Sequence, residues 1–457
     1  MTSRRVALFA TVALAIWWYV LERLPIGEHL GFFHLAPLGF GFNSMAEHLL
    51  AGRFDVDLDT VIGEAFFVDD RTISYFGIFC ALLRLPLAPF GLLPTLDITG
   101  PSCLLAVCLG AWFQLRALQT VYAACPDSTR RDWLTVAFAV CILLGGQQIQ
   151  FARASIYQEV VCWGNALAMG FVWLAVRGLL HGFDRRKLTA MAAFAGLALL
   201  DRVSFGLGLY AALGGLLLLR WRLMVWPSVV LAVFVAATAV VNYGRWGDPL
   251  VFADFTKYAL NQDQTPDRLV RIAEYGAFNW RRIGLGLTYY FVPVWTWIRS
   301  DGHLLFAEAR ARLVDVMELP PGSFFLSDPL LLGLAAMGLL GLRRKATLPT
   351  LALLAGLSIP PILMLTAISM AYRYREEFYP FLVLAALLGF QRLCAGGLAF
   401  GRGTRTAIVA AVVASVLVSH AQAVIYAVTP FGDAEQYIEP DGWIGTYLPR
   451  LRAGHDW

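Results

Sequence analysis

Seven carboxylates, Glu47, Asp55, Asp57, Asp59, Glu64, Asp69 and Asp70, fall within two dozen residues of a chain that is otherwise strongly apolar. Further along, charged side chains recur at the ends of apolar runs: Arg71, Arg153, Glu159, Asp201, Arg202, Arg373 and Arg375, with Tyr374 between the last two arginines. An acidic segment opposed by arginines suits a reaction with an anionic leaving group. Metal chemistry has less support. Asp55, Asp57 and Asp59 alternate with apolar residues as an exposed turn or short strand does, without the glycine spacing of a calcium loop. The histidines show no spacing that suggests ligation, and the seven cysteines are scattered without a C-x-x-C pair, which reads as small buried hydrophobes.

The elements that must position these groups are set by composition. Of 457 residues, 58% are hydrophobic and only 15% charged, against about 25% charged in an ordinary soluble globule. This is the composition of an all-α polytopic membrane protein with lipid around it, and no nucleic-acid partner is expected. Arg4 and Arg5 precede an apolar run over 6–20 that looks like a signal peptide, but no small-x-small cleavage site follows. Trp17, Trp18 and Tyr19 suit an interfacial anchor, so the run reads as a retained first span.

Basic residues then fix the direction of each crossing. Arg4/Arg5, Arg130/Arg131, Arg185/Arg186/Lys187, Arg220/Arg222, Arg343/Arg344/Lys345 and Arg392/Arg402/Arg405 all belong on the cytoplasmic side. That parity allows only one crossing between the acidic segment and Arg130. The run 101–124 is the better one, because 73–93 carries Arg84, Pro86 and Pro89 and reads as an interfacial helix. Spans follow over 132–149, 157–180, 188–200, 204–219 and 224–243, then 324–342, 348–370, 378–394 and 406–428. The total is about eleven crossings, with the N-terminus inside and the C-terminus outside. The pair 188–200 and 204–219 forms a hairpin expected to expose Asp201 and Arg202 on the outer face. The chain thus divides into an N-terminal transmembrane module (1–243) whose first external loop (25–100) is acidic, a large external loop (244–323) with amphipathic helices, C-terminal helices (324–428) and an external tail (429–457). No internal repeat points to a two-halved transporter.

With the charged residues gathered on one side, several segments resemble a known family. Asn43–Asp57 carries Ala46-Glu47 and Leu49-Leu50-Ala51-Gly52-Arg53-Phe54-Asp55-Val56-Asp57, and is followed by Asp70-Arg71-Thr72-x-Ser74-Tyr75-Phe76-Gly77 and a helix ending in Arg84-Leu85-Pro86. This resembles the first external loop of bacterial GT-C glycosyltransferases, membrane enzymes that take sugars from polyprenyl-phosphate donors. Ile156-Tyr157-Gln158-Glu159, Leu200-Asp201-Arg202-Val203-Ser204, Asn242-Tyr243-x-Arg245-x-Gly247-x-Pro249 and Arg373-Tyr374-x-x-Glu377-Phe378-x-Pro380 resemble further segments of that superfamily. The resemblance covers most of the chain and implies two juxtamembrane helices in the first external loop. It also implies an inverting transfer in which a first-loop carboxylate takes the acceptor's proton while arginines, sometimes with a divalent metal, stabilise the departing lipid phosphate.

The chain departs from the family where many members place an acidic residue or pair, reading Ala36-Pro37-Leu38-Gly39 instead. The catalytic candidates are then Glu64 and Asp70, just before the interfacial run where a carboxylate can be partly desolvated, with Asp69 third. Arg71, Glu159, Arg202, Arg373, Tyr374 and Arg375 are the substrate-binding candidates. No cofactor is read from the residues, and a divalent metal is left open. The expected partners are a polyprenyl-phosphate-linked sugar, an extracytoplasmic glycan, lipid or protein acceptor, and membrane lipid, at the inner membrane of a bacterial cell. The rival readings are a lipid-linked-oligosaccharide polymerase or ligase, a transporter or flippase, and an inactive scaffold of the same fold.

Overall fold

The computed structural model describes residues 36–263, 267–293, 296, 305–345, 347–395 and 400–429, with isolated positions nearer the two ends. The expected first span over 6–20 and the external tail lie almost wholly outside the described residues, as does part of the large external loop.

The acidic segment, expected to be external, folds as a small unit. Gly41–Leu50 forms a helix (α1) buried along most of its length. Phe66–Val68 (β1) and Arg71–Ile73 (β2) then pair antiparallel, with Phe66 opposite Ile73 and Val68 opposite Arg71. Asp69 and Asp70 are the two turn residues, both at positive φ (49° and 60°), which is the backbone a tight two-residue hairpin needs and which Asp tolerates better than most residues. Alternation along β1 buries Phe66 and Val68 with Ile73 and Tyr258, the Phe66 and Tyr258 rings stacking at 4.7 Å. The run expected to lie at the interface is broken by its prolines into Phe79–Leu82 (α2) and a 3₁₀ turn over Leu85–Phe90, too short to cross a bilayer core of about 30 Å.

Helices Thr99–Ala124 (α3), Asp132–Leu144 (α4, continued by 3₁₀ turns to Arg153), Ile156–His181 (α5), Arg185–Asp201 (α6), Val203–Leu219 (α7) and Val225–Trp246 (α8) follow in order. The segment 244–323, expected to be external, contributes Arg268–Tyr275 (α9) and Ile283–Phe291 (α10). Pro329–Lys345 (α11), Leu348–Leu357 (α12), Ile359–Thr366 (α13), Tyr379–Ala395 (α14) and Arg402–Ala427 (α15) complete the bundle. Each of the ten expected crossings after the first coincides with a helix or a helix pair. Among the described residues seven are long and apolar enough to span, those at α3, α4, α5, α8, α12–α13, α14 and α15. The protein is an all-α polytopic membrane protein. α5 is the central helix, buried nearly throughout, while α8 and α15 are largely exposed along theirs. At the other end of the bundle, Trp221 and Trp226 are exposed with Arg222 and Arg185 over their rings, the aromatic and basic composition of a membrane–water boundary.

Close helix approach uses small residues. A Cβ on Gly389 of α14 would come within 2.0 Å of the Leu334 carbonyl of α11, so only glycine permits that crossing. The external segment is knitted to the chain after α13 by Ile368 N to Ala277 O (2.9 Å), Met370 N to Val316 O (2.8 Å) and Glu318 N to Met370 O (2.9 Å). Arg282 staples the same junction, its guanidinium donating to the carbonyls of Leu313, Ala277, Thr366 and Gly276.

The turn at Asp201–Arg202 is present, with Arg202 extended between two helices, but it does not expose its charges as expected. Asp201 is 2% exposed and accepts from Cys80 Sγ at 3.3 Å, while Arg202 is mostly covered. The reason is the first loop: Gly77 sits so close that an added Cβ would meet the Asp201 and Leu200 carbonyls at 2.1 and 2.2 Å, which roofs the turn. Arg84, expected to demand solvent, is fully buried against Glu159.

Candidate functional site

Tyr372–Glu377 forms one short 3₁₀ stretch, YRYREE, between the external segment and α14. Its tight winding sends neighbouring side chains in different directions. Arg373 and Tyr374 are partly buried, whereas Arg375, Glu376 and Glu377 are buried.

Arg202 and Arg373 are each paired with a buried carboxylate. Arg202 Nε donates to Glu377 Oε1 at 2.6 Å, and Arg373 pairs with Glu318, whose other oxygen accepts from the Tyr372 backbone N–H at 3.1 Å. The Tyr374 ring lies between them, 5.0 Å from the Arg202 guanidinium and 5.2 Å from that of Arg373. Arg373 also lies over the ring of Tyr157, at 4.6 Å. The Tyr157 hydroxyl in turn donates to Glu64 Oε1 at 2.7 Å. Glu64, on the turn before β1, is half-buried and also meets the Tyr258 hydroxyl.

Ionising a phenol in this place is opposed by its surroundings. Burial first, then the negative charge of Glu64, pushes the Tyr75 and Tyr258 hydroxyls well above the ordinary phenol range. They are neutral hydrogen-bonding groups at any physiological pH. The site is thus one carboxylate, two tethered guanidiniums and a set of neutral tyrosine hydroxyls, at the end of the bundle where α5 begins and α6 turns into α7.

The structure therefore brings together Glu64, Arg202, Arg373 and Tyr374 from the sequence candidates. It does not bring in the others. Asp69 and Asp70 are exposed at the hairpin tip. Arg71 donates to the Gly244 carbonyl at 3.1 Å. Arg375 is turned away and closed, donating to Ser327 Oγ (2.7 Å) and Asp328 Oδ2 (2.9 Å) and lying 4.2 Å from the Phe324 ring. Glu159 is consumed by Arg84, which grips both its oxygens at 2.8 Å with both side chains 0% exposed. Arg84 further donates to Asn43 Oδ1 (2.6 Å), the Cys80 carbonyl (2.9 Å) and Thr99 Oγ1 (3.1 Å), joining α1, α2, α3 and α5. Burial alone would weaken that guanidinium, yet the Glu159 charge holds its pKa above the ordinary value. Asp55 and Asp57 are also local structure, clasping His48 at 2.9 and 3.3 Å.

Residues that sequence reasoning missed are Tyr157, Tyr75, Tyr258, Glu318 and Glu377. Tyr157, Tyr75 and Glu377 stood inside the segments that carried the family resemblance, so a signal existed; Glu318 and Tyr258 had none. Among the described residues no group of three or more His, Cys, Asp or Glu is placed to hold a metal ion. Of the carboxylates in this cluster, Glu318 and Glu377 are committed to arginines and Glu64 stands alone, so the described residues do not form a set that fits the divalent cation left open by the resemblance.

No protein-family model matches the chain, and no curated protein matches it in sequence. Among solved structures, the archaeal oligosaccharyltransferase AglB from Archaeoglobus fulgidus, solved in complex with an inhibitory peptide and a dolichol-phosphate, superposes with a TM-score of 0.44 at 13% identity. The match covers 94% of this chain and 57% of that one, so the chain spans little more than half the length of that protein. A likeness of that size assigns no activity to this chain.

Proposed function

We propose that this protein is a GT-C-type membrane glycosyltransferase that moves a sugar from a polyprenyl-phosphate donor to an acceptor hydroxyl, at the outer face of a bacterial inner membrane, with its N-terminus in the cytoplasm. The observation that carries the reading is the Glu64–Tyr157–Arg373 chain of contacts, which sets a half-buried carboxylate beside a guanidinium that is tethered but not sealed. In the reaction Glu64 accepts the proton of the acceptor hydroxyl as its oxygen attacks the anomeric carbon. The bond from that carbon to the phosphate oxygen breaks with inversion, and Arg373 and Arg202 receive the charge that develops on the departing lipid phosphate. Glu64 is preferred over Asp69 and Asp70 because it alone of the three is bonded to the tyrosine on which Arg373 lies.

The charge balance favours a donor with one phosphate. Arg202 and Arg373 are each already neutralised by Glu377 and Glu318, so the cluster offers a ligand hydrogen-bond donors but no net positive charge, which suits a phosphodiester better than a diphosphate. Purified protein in proteoliposomes should release polyprenyl phosphate from a panel of polyprenyl-monophosphate sugars. Consumption of a polyprenyl-diphosphate oligosaccharide instead would replace this reading by the polymerase or ligase. Consumption of neither, with the protein folded, would leave a transporter or an inactive scaffold.

A further inference from the structure

At the start of α5 the sequence singles out Glu159, and that residue is sealed away. The neighbour two positions earlier has the more informative surroundings. Ser155 caps α5 by accepting from the Tyr157 N–H at 3.1 Å, which fixes where the helix begins and so where the Tyr157 side chain emerges. From there its hydroxyl reaches Glu64 at 2.7 Å, its ring face carries the Arg373 guanidinium at 4.6 Å, and Phe76 of the first loop packs edge-on at 5.7 Å. The three groups are contributed by the first loop, α5 and the stretch before α14.

We infer that Tyr157 is a positioning residue that sets the Glu64 carboxylate and the Arg373 guanidinium at a fixed separation, through its hydroxyl on one side and its ring face on the other. The inference deepens the glycosyltransferase reading and rests on it. A carboxylate on a short turn has rotamer freedom, and a charge-assisted hydrogen bond restricts it to a narrow set of orientations. A guanidinium tethered by a single carboxylate can still swing; the ring supplies a flat surface that confines it. The two contacts are chemically separable, which gives the idea its test.

Tyr157→Phe keeps the ring under Arg373 and removes the bond to Glu64. Turnover should fall by about 10- to 100-fold in kcat with the donor KM unchanged within about twofold. Tyr157→Leu removes both contacts and should also raise the donor KM by about tenfold. Wild-type kinetics in Tyr157→Phe, or equal effects of both variants on KM, would overturn the inference while leaving the reaction class in place. A thermal-unfolding cycle with Tyr157→Phe and Glu64→Ala, which removes the acceptor that a glutamine would keep, reads the tether without any substrate. The two substitutions should be non-additive, and strict additivity would overturn the tether whatever the protein's activity. Absence of wild-type turnover on every lipid-linked sugar would overturn the reaction class, and the kinetic role of Tyr157 with it.

Discussion

Tyr157 and Glu159 stand two residues apart on the first turn of α5, and the two regions they enter could hardly differ more. Glu159 enters a region where every polar atom of its arginine partner is spoken for by a neighbouring element and no solvent reaches either side chain. Tyr157 enters one where Glu64, Arg373, Tyr374 and Arg202 are all partly buried, with each arginine paired to one carboxylate. The first arrangement can only hold helices together. The second has polar groups left over at a surface, and leftover groups are what a ligand binds. Ion pairing alone therefore does not mark a site in this fold; incomplete closure does.

The contrast can be broken by substitution, and the largest effect belongs to the sealed region. Glu159→Gln leaves a buried guanidinium without its counter-charge, which should cost about 3–5 kcal/mol and lower the thermal midpoint sharply in detergent. Replacing both partners with apolar residues, Arg84→Met with Glu159→Leu, should recover much of that loss. A Glu159→Gln protein as stable as the wild type would show that the pair does not hold α1, α2, α3 and α5 together.

In the open region Arg373→Lys keeps the charge and loses the planar fork that lies between Tyr157 and Tyr374. The donor KM should rise by about tenfold, roughly 1–2 kcal/mol, with little change in the thermal midpoint. A large loss of stability with unchanged KM would move Arg373 into the same class as Arg84.

The hairpin tip should matter less. Replacing Asp69-Asp70 by Asn-Gly suits the two positive-φ positions, so stability should be unchanged or higher by about 0.5–1 kcal/mol and turnover should stay within about twofold. Abolished turnover in a folded variant would return Asp69 and Asp70 to the list of bases.

The smallest effect is a pH dependence in the His48 clamp. Burial would raise the Asp55 carboxyl, but the hydrogen bond from His48 and the charges of His48 and Arg53 hold it below the ordinary carboxylate value. A depressed folded pKa means a stability contribution that is present above the unfolded value near 3.9 and is lost as pH falls through the folded one. Asp55→Asn should thus melt lower than the wild type at neutral pH, by an amount worth about 1 kcal/mol or less, and the gap should close in strong acid. A gap that widens toward acid would contradict the clamp.

Much of the architecture could be read from residues because lipid imposes simple demands. Apolar length and the placement of Arg and Lys located ten crossings that coincide with helices, and Pro86 and Pro89 kept 73–93 from being counted as one. Members of the candidate cluster were legible where charge broke an apolar run, which singled out Arg202 and Arg373, and where a carboxylate stood just before the interfacial run, which singled out Glu64. It was not legible where packing chose between neighbours. A step of two residues turns a helix by about 200°, so Tyr157 and Glu159 had to face opposite ways, but which faced the cleft depended on where α1 and α2 docked. The acids that anchor the arginines were equally hidden, since Glu318 lies 55 residues from Arg373 and Glu377 lies 175 from Arg202. Arg84 was misjudged because its solvation comes from Glu159 and Asn43 rather than water.

The claim on which the account stands is that Glu64 does chemistry while Glu159 does architecture. A single-turnover experiment on the Glu64→Gln protein measures it most directly, following both donor binding and release of lipid phosphate. The account predicts donor binding at the wild-type level, an unchanged thermal midpoint and release slowed by about 10²- to 10⁴-fold, the usual span for loss of a general base. Release at the wild-type rate from a folded Glu64→Gln protein would contradict it.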